Sequence, residues 1–273
     1  SEHCSVTAAS GAMAAYITGN VASNLFGRLL ATGVAEGIGL SEAFYAFAAL
    51  NLAGGALAAA VIGLREPRGA PARGGGRARA ALGAHLRQPE LRSAFIVGFL
   101  ILFAFVGVYT FVNLELTGPA YGLEPAMLGL VYFVFLPSML TTPSAGAVAR
   151  RFGARRVVLA SLALAGAGLA LTVFGLLWAM LAGLAVVAVG LFFAQGAATG
   201  YVGRVATHDH GAASGLYLTS YYLGGLVGAF AVGQAYQAAG WSGVAAAVAA
   251  ALAAGAAATW RMRDPGAPRR EDE

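Results

Sequence analysis

The 273 residues are 59% hydrophobic and only 11% charged, with a mean hydropathy of +0.72, whereas a soluble domain carries about a quarter charged residues. A water-soluble globular fold is excluded, and lipid is the expected solvent. The net charge is +5 and all 17 basic residues are Arg; in a chain this apolar such a balance reports membrane topology rather than nucleic-acid binding.

Apolar runs of about twenty residues, each long enough to cross a hydrocarbon core of about 30 Å, recur at 8–32, 42–64, 93–114, 126–147, 156–176, 177–200, 211–235 and 241–261. Lipid offers no partner to an open backbone group, so these runs are predicted as helices. The shorter alternating segments of a transmembrane barrel are absent from the sequence. The predicted fold class is an all-α membrane protein.

On the first run Gly11, Ala15, Gly19, Ser23 and Gly27 recur every four positions and form a groove for close helix packing. Roughly 100° around the same helix lies a polar stripe, Tyr16, Asn20, Asn24 and Arg28. Arg28 either snorkels to the interface or serves as a counter-charge, for an anionic solute or for Glu115. After the second run, 65–92 contains Pro67, Pro71, Gly74-Gly75-Gly76 and seven Arg; it reads as a cytoplasmic linker with a short surface helix at 78–88. The glycine run lacks the strand, helix and Lys of a phosphate-binding loop.

The third run aligns Phe105, Tyr109 and Asn113, and the sixth aligns Gln195 and Thr199. Uncharged hydrogen-bonding groups beside aromatics suit a cavity for a neutral or amphipathic small molecule, and they serve equally as polar glue between helices. The fourth run holds Pro137, Ser138, Thr141, Thr142 and Pro143, where a kink or hinge is expected. His208-Asp209-His210 sits in a short loop without further ligands, so neither a metal nor a cofactor is predicted. On the seventh run Tyr217 and Tyr221 share a face, while Ser220, Gly224 and Gly228 make a second small-residue groove. No Asp or Glu occupies the centre of a run, so if the chain is proton-driven the coupling carboxylate is Glu115 or a residue of the helices expected upstream. Cys4 stands alone, which rules out an intrachain disulfide.

With the first run directed outward, every Arg except Arg28 falls on one side, the cytoplasm by the positive-inside rule, and Glu36, Glu42, Glu115 and Glu124 fall on the other. Sliding the first run onto the seventh superposes Tyr16 on Tyr217, Thr18 on Thr219, Leu25 on Leu226 and Gly27 on Gly228. The second and eighth runs exit through Arg65-Glu66-Pro67 and Arg263-Asp264-Pro265. A unit recurring six spans later in the same orientation belongs to a protein of two six-helix halves. The expected organisation is 1–64 as the last two helices of a first half, 65–92 as linker, 93–263 as the second half and 264–273 as a cytoplasmic tail. Since the sequence opens at Ser1 without Met, four further helices are expected upstream.

The segment Gly146-Ala-Val-Ala-Arg150-Arg151-Phe-Gly153-Ala-Arg155-Arg156 resembles the signature loop of the major facilitator superfamily, with Arg150 where the family pattern has an acid. Gly215 to Gly228, ending at Gly240-Trp241, is similar to the eleventh helix of inner-membrane permeases of the arabinose-efflux and YnfM type; Tyr16-Ile-Thr-Gly19-Asn20 with Gly27-Arg28-Leu29 is similar to their fifth. The Gly-Pro pair associated with drug/proton antiporters is absent from that fifth helix. The resemblance implies alternating access by a secondary transporter, monomeric when full length, in a bacterial inner membrane. It would carry a small organic solute or drug, in proton-coupled efflux, along Tyr16, Asn20, Asn24, Arg28, Tyr109, Asn113, Gln195, Thr199 and Tyr221. A membrane-embedded enzyme or a non-transporting sensor is the alternative, and the sequence shows neither a Ser/His/Asp set nor intramembrane metal ligands to favour an enzyme.

Overall fold

The computed structural model describes residues 39–63, 82–124 and 127–263, together with Gly19, Ser23, Gly27, Leu30 and Gly37. Among these residues there are helices and turns and no strand. Helix α1 is Leu40–Gly63, α2 Pro89–Thr117, α3 Leu128–Phe152, α4 Ala154–Leu171 and α5 Leu177–Val205. The final helical stretch, His210–Ala258, leaves helical geometry at Ala239 and at Gly240 (φ 57°, ψ −144°). It therefore consists of two helices, α6 over 210–238 and α7 over 241–258. The predicted runs at 211–235 and 241–261 correspond to these two, and Gly240 supplies the positive φ at the turn. Gly243 completes the hairpin, because a Cβ there would overlap the Ala235 carbonyl.

Helix α2 meets α6 in one regular seam. The Ser220 hydroxyl donates to the Phe95 carbonyl at 2.8 Å. A Cβ on Gly224 would overlap the Phe99 carbonyl, and one on Gly228 would lie 2.6 Å from the Phe103 carbonyl. One turn on, Val232 fills the space above Gly107, and a turn further the rings of Tyr236 and Phe111 stack at 5.6 Å. Both partners advance by four residues at each contact, so the helices run parallel and four-residue ridges interdigitate on both. In lipid, where apolar surface gains little by meeting apolar surface, such backbone approach supplies dispersion contact and weak Cα–H···O bonds. The groove at Ser220, Gly224 and Gly228 thus has its partner in the phenylalanine row of α2.

Helices α4 and α5 form an antiparallel hairpin on the same logic. Gly168 and Gly183 face each other's backbone, and Gly190 abuts Ser161 and Ala165, in each case closer than a Cβ would permit. Helix α7 buries Val244, Val248, Ala251 and Gly255 along one stripe, with Gly255 against Leu162 of α4 and Leu100 of α2. Trp241 donates its indole N–H to the Thr172 hydroxyl at 3.0 Å, tying the start of α7 to the α4–α5 turn.

The expected irregularity in α3 takes the form of two 3-10 interruptions, Tyr132–Phe135 and Thr142–Ser144. Pro137 and Pro143 each lack an N–H and crowd the carbonyl four residues back, and the chain tightens just ahead of Pro137 and around Pro143. The Ser138, Thr141 and Ser144 hydroxyls bond to the carbonyls of Phe135, Pro137 and Thr141 at 2.6, 3.0 and 2.7 Å, so these three side chains are satisfied by the backbone of their own helix.

The short helix expected at 78–88 is described over 82–87, and one of its side chains is not on the surface. His85 is fully buried and stacks on His208 at 4.9 Å. Nearby, the Gln88 amide reaches the Val205 carbonyl at the end of α5 at 3.5 Å. In α1 almost every described side chain is exposed, Ala43 being the buried exception.

Candidate functional site

The row Phe105, Tyr109 and Asn113 on α2 faces α3 and α5. Tyr109 is buried, and its hydroxyl donates to the Leu184 carbonyl of α5 at 2.5 Å. Asn113, half-buried, and Tyr132 of α3, buried, are joined both ways: the amide N–H donates to the phenol oxygen at 2.7 Å and the phenol donates to the amide oxygen at 2.9 Å. Phe105 lies 5.1 Å from Phe192 of α5 and 4.7 Å from Tyr109, between ring centroids. Phe135 of α3 is the hub, with Tyr109 at 4.7 Å, Phe105 at 5.8 Å, and Tyr132 and Phe192 at 6.0 Å. Three helices thus meet in a cluster of five aromatic rings whose polar atoms sit at its edges.

Gln195 follows Phe192 by one turn of α5 and is buried; Thr199, a turn further, is half-buried. Tyr221 is buried on α6 and stacks at 6.2 Å on Tyr217, whose ring fills the space left by Gly98 of α2. The structure therefore joins Tyr109 and Asn113 in one cluster, sets Gln195 and Thr199 on the adjoining stretch of α5, and gives Tyr221 its ring contacts on α6. Tyr16, Asn20, Asn24 and Arg28 lie outside the described residues. Gly19 and Gly27 are described as helical, and no described atom lies within 4 Å of a Cβ built on either.

Glu115 is half-buried near the end of α2. Tyr121, in the turn that follows, has its phenol pKa raised first by burial and second by the Glu115 charge.

The segment resembling the signature loop is a joint of one residue. Gly153, with φ 89° and ψ 134°, separates the end of α3 from the start of α4; a side chain would strain that conformation. Arg150, Arg151 and Arg156 are exposed around it, with Gly146 half-buried two turns before the joint. The Arg155 guanidinium lies over the Trp260 ring at 4.3 Å, which fastens this joint to the end of α7. Sequence reasoning missed Tyr132, Phe135 and Phe192. The spacing of Tyr132 and Phe135 put both near one face of α3, but nothing local said that this face meets α2.

Residues 114–273 match the model of the Major Facilitator Superfamily. The chain belongs to the Major Facilitator Superfamily. Among similar chains, the uncharacterized MFS-type transporter YybF of Bacillus subtilis is 27% identical over 240 residues, covering 85% of this chain and 58% of YybF. The inner membrane transport protein YnfM of Escherichia coli is 32% identical over 165 residues, covering 60% of this chain and 40% of YnfM. An uncharacterized transporter of Buchnera aphidicola is 23% identical over 140 residues, 51% of this chain and 34% of its own. This major facilitator chain thus spans little more than half the length of YybF and less than half that of the other two. Its helices, long and apolar enough to cross a bilayer, make it a multi-pass membrane protein.

Proposed function

We infer that the chain is part of a secondary active transporter that moves a small organic solute or drug by alternating access, in proton-coupled efflux. The observation that carries this reading is the cluster where α2, α3 and α5 of a major facilitator chain meet. There five aromatic rings converge with an amide and two phenols on their rim. Aromatic faces accept a flat or amphipathic solute without exacting a fixed geometry, and the rim groups orient it. Glu115 is the coupling group: as a half-buried acid next to a phenol, it exchanges a proton at the end of α2 while the solute occupies the cluster. Gln195, Thr199 and Tyr221 border the path together with Tyr16, Asn20, Asn24 and Arg28. In this reading the Arg-bearing loops and both ends face the cytoplasm of a bacterial inner membrane, and the complete protein works as a monomer. The likeness to YybF, an MFS-type transporter, and to YnfM, an inner membrane transport protein, supports the class.

Reconstitution of the full-length protein in vesicles under an imposed pH gradient tests it. Flux of a cationic or neutral amphipathic dye should follow the gradient, and Glu115→Gln should abolish its pH dependence while leaving expression and fold intact. A pH-dependent flux unaltered by Glu115→Gln would remove Glu115 from the mechanism, and the absence of any solute flux would remove the transporter.

A further inference from the structure

A cavity of about 210 Å³ opens where the start of α2 meets the end of α7, away from the aromatic cluster and lined by Arg92, Ser93, Ile96, Ala257, Trp260 and Arg261 among others. Its chemistry is split. Arg92 and Arg261 are exposed on its walls, and among the described residues neither guanidinium has an ion-pair partner. Ile96, one turn deeper into the bilayer than Arg92, is half exposed, and Trp260 is 74% exposed. Ser93 is no free donor, for its hydroxyl is bonded to the Pro89 carbonyl at 3.0 Å. The carboxylate on the same turn of α2 is Glu90, and it is not among the lining residues.

Two guanidiniums at the interface above an apolar wall that continues toward the hydrocarbon match one kind of amphiphile. We propose that this cavity binds an anionic phospholipid, its phosphodiester bridging Arg92 and Arg261 and the first part of its acyl chain lying along Ile96 and Trp260. Arginine suits a phosphate because its fork of donors matches paired phosphate oxygens, and basic pockets between helices at the membrane surface bind lipid headgroups. The exposed Trp260 ring, an amphipathic body at headgroup level, is held in place by Arg155 on its face at 4.3 Å. Arg155 thus shapes the wall, while Arg92 and Arg261 bind the charge. A free phosphate would use only the two guanidiniums, whereas the lipid also uses Ile96 and Trp260.

Native mass spectrometry of the full-length protein with phosphatidylglycerol, phosphatidylcholine or inorganic phosphate distinguishes these sources. Phosphatidylglycerol should be retained at least tenfold more than phosphatidylcholine. Retention should fall severalfold in the Arg92→Gln/Arg261→Gln double variant and in Trp260→Ala, and stay unchanged in Arg87→Gln, an exposed basic position outside the cavity. Equal loss in Arg87→Gln would reveal diffuse surface attraction, and full competition by inorganic phosphate would reveal a simple anion site; either overturns the proposal. The unsubstituted protein provides a check free of folding defects: phosphatidylglycerol should raise its melting temperature in micelles where equal phosphatidylcholine does not, and equal shifts from the two lipids would also overturn it.

Discussion

Tyr109 and Trp241 spend their polar atoms in the same way, on acceptors belonging to another helix or turn, across 75 and 69 residues of sequence. In a bilayer interior such bonds are retained because the alternative is an unsatisfied group in hydrocarbon, yet their net worth is about 1 kcal/mol, since a loosened helix also finds partners. Tyr109→Phe keeps the ring and removes one such bond, so it should lower stability by about 1 kcal/mol in denaturant titration in detergent. Tyr109→Ala also empties the hub beside Phe135, and its loss should be severalfold larger, about 3–5 kcal/mol. Tyr121 carries a different expectation. Because the folded protein holds the phenolic proton more tightly than the unfolded chain does, its contribution to stability is present below about pH 10 and is lost as the pH rises through the raised folded value. Ultraviolet titration should find Tyr121 ionising late, and Glu115→Gln should relieve only part of the delay, because burial is the larger cause.

At the scale of the element, the α2–α6 seam decides most. Gly224 and Gly228 are the positions where backbone meets backbone, so a side chain there must push the helices apart along their whole contact. Gly228→Leu should cost about 1–3 kcal/mol or more and reduce the folded fraction seen by size-exclusion chromatography. Gly215→Leu, where a Cβ meets no described atom within 4 Å, should be tolerated. The seam also shows what was legible in the sequence and what was not. A row of small residues four apart announces that something approaches closely, and the row at Ser220, Gly224 and Gly228 was visible on inspection. That Phe95, Phe99 and Phe103 present the opposing backbone was invisible, because large residues mark a close approach only by what lies across from them. Likewise Pro137 and Pro143 signal an irregular α3, but whether the chain tightens into 3-10 turns or makes one sharp bend is settled only in the folded helix. His85 was read as part of a surface helix on composition; its burial follows from contact with His208, more than a hundred residues away.

Over the whole molecule, hydropathy determined the described spans well, because a lipid solvent leaves the backbone so few options. Gly240 divides the stretch 210–258 into two helices, and the sequence pattern places the division within a few residues of it. Less was legible for the site. Spacing aligned Phe105, Tyr109 and Asn113, but the rotational setting of α3 and α5 decided which rings would join them. The orientation of the spans is open to a direct test. Cysteines introduced singly at Ala120 and Thr207, both exposed, in a background with Cys4 replaced by Ser, should differ toward an impermeant maleimide applied outside intact cells: position 120 reacts and position 207 is protected. Labelling of position 207 with protection of position 120 would invert the arrangement.

The five matched contacts between 95–111 and 220–236 give the molecule an internal strut. Shifting α6 along α2 by a single residue would bring Leu223 and Val227 in one direction, or Ala229 in the other, to levels where only a glycine fits against the opposing carbonyl, so the pair has no adjacent register to slip into. Any shape change between an inward-facing and an outward-facing form must carry both together, and two spin labels placed across this junction should report the same separation in each form.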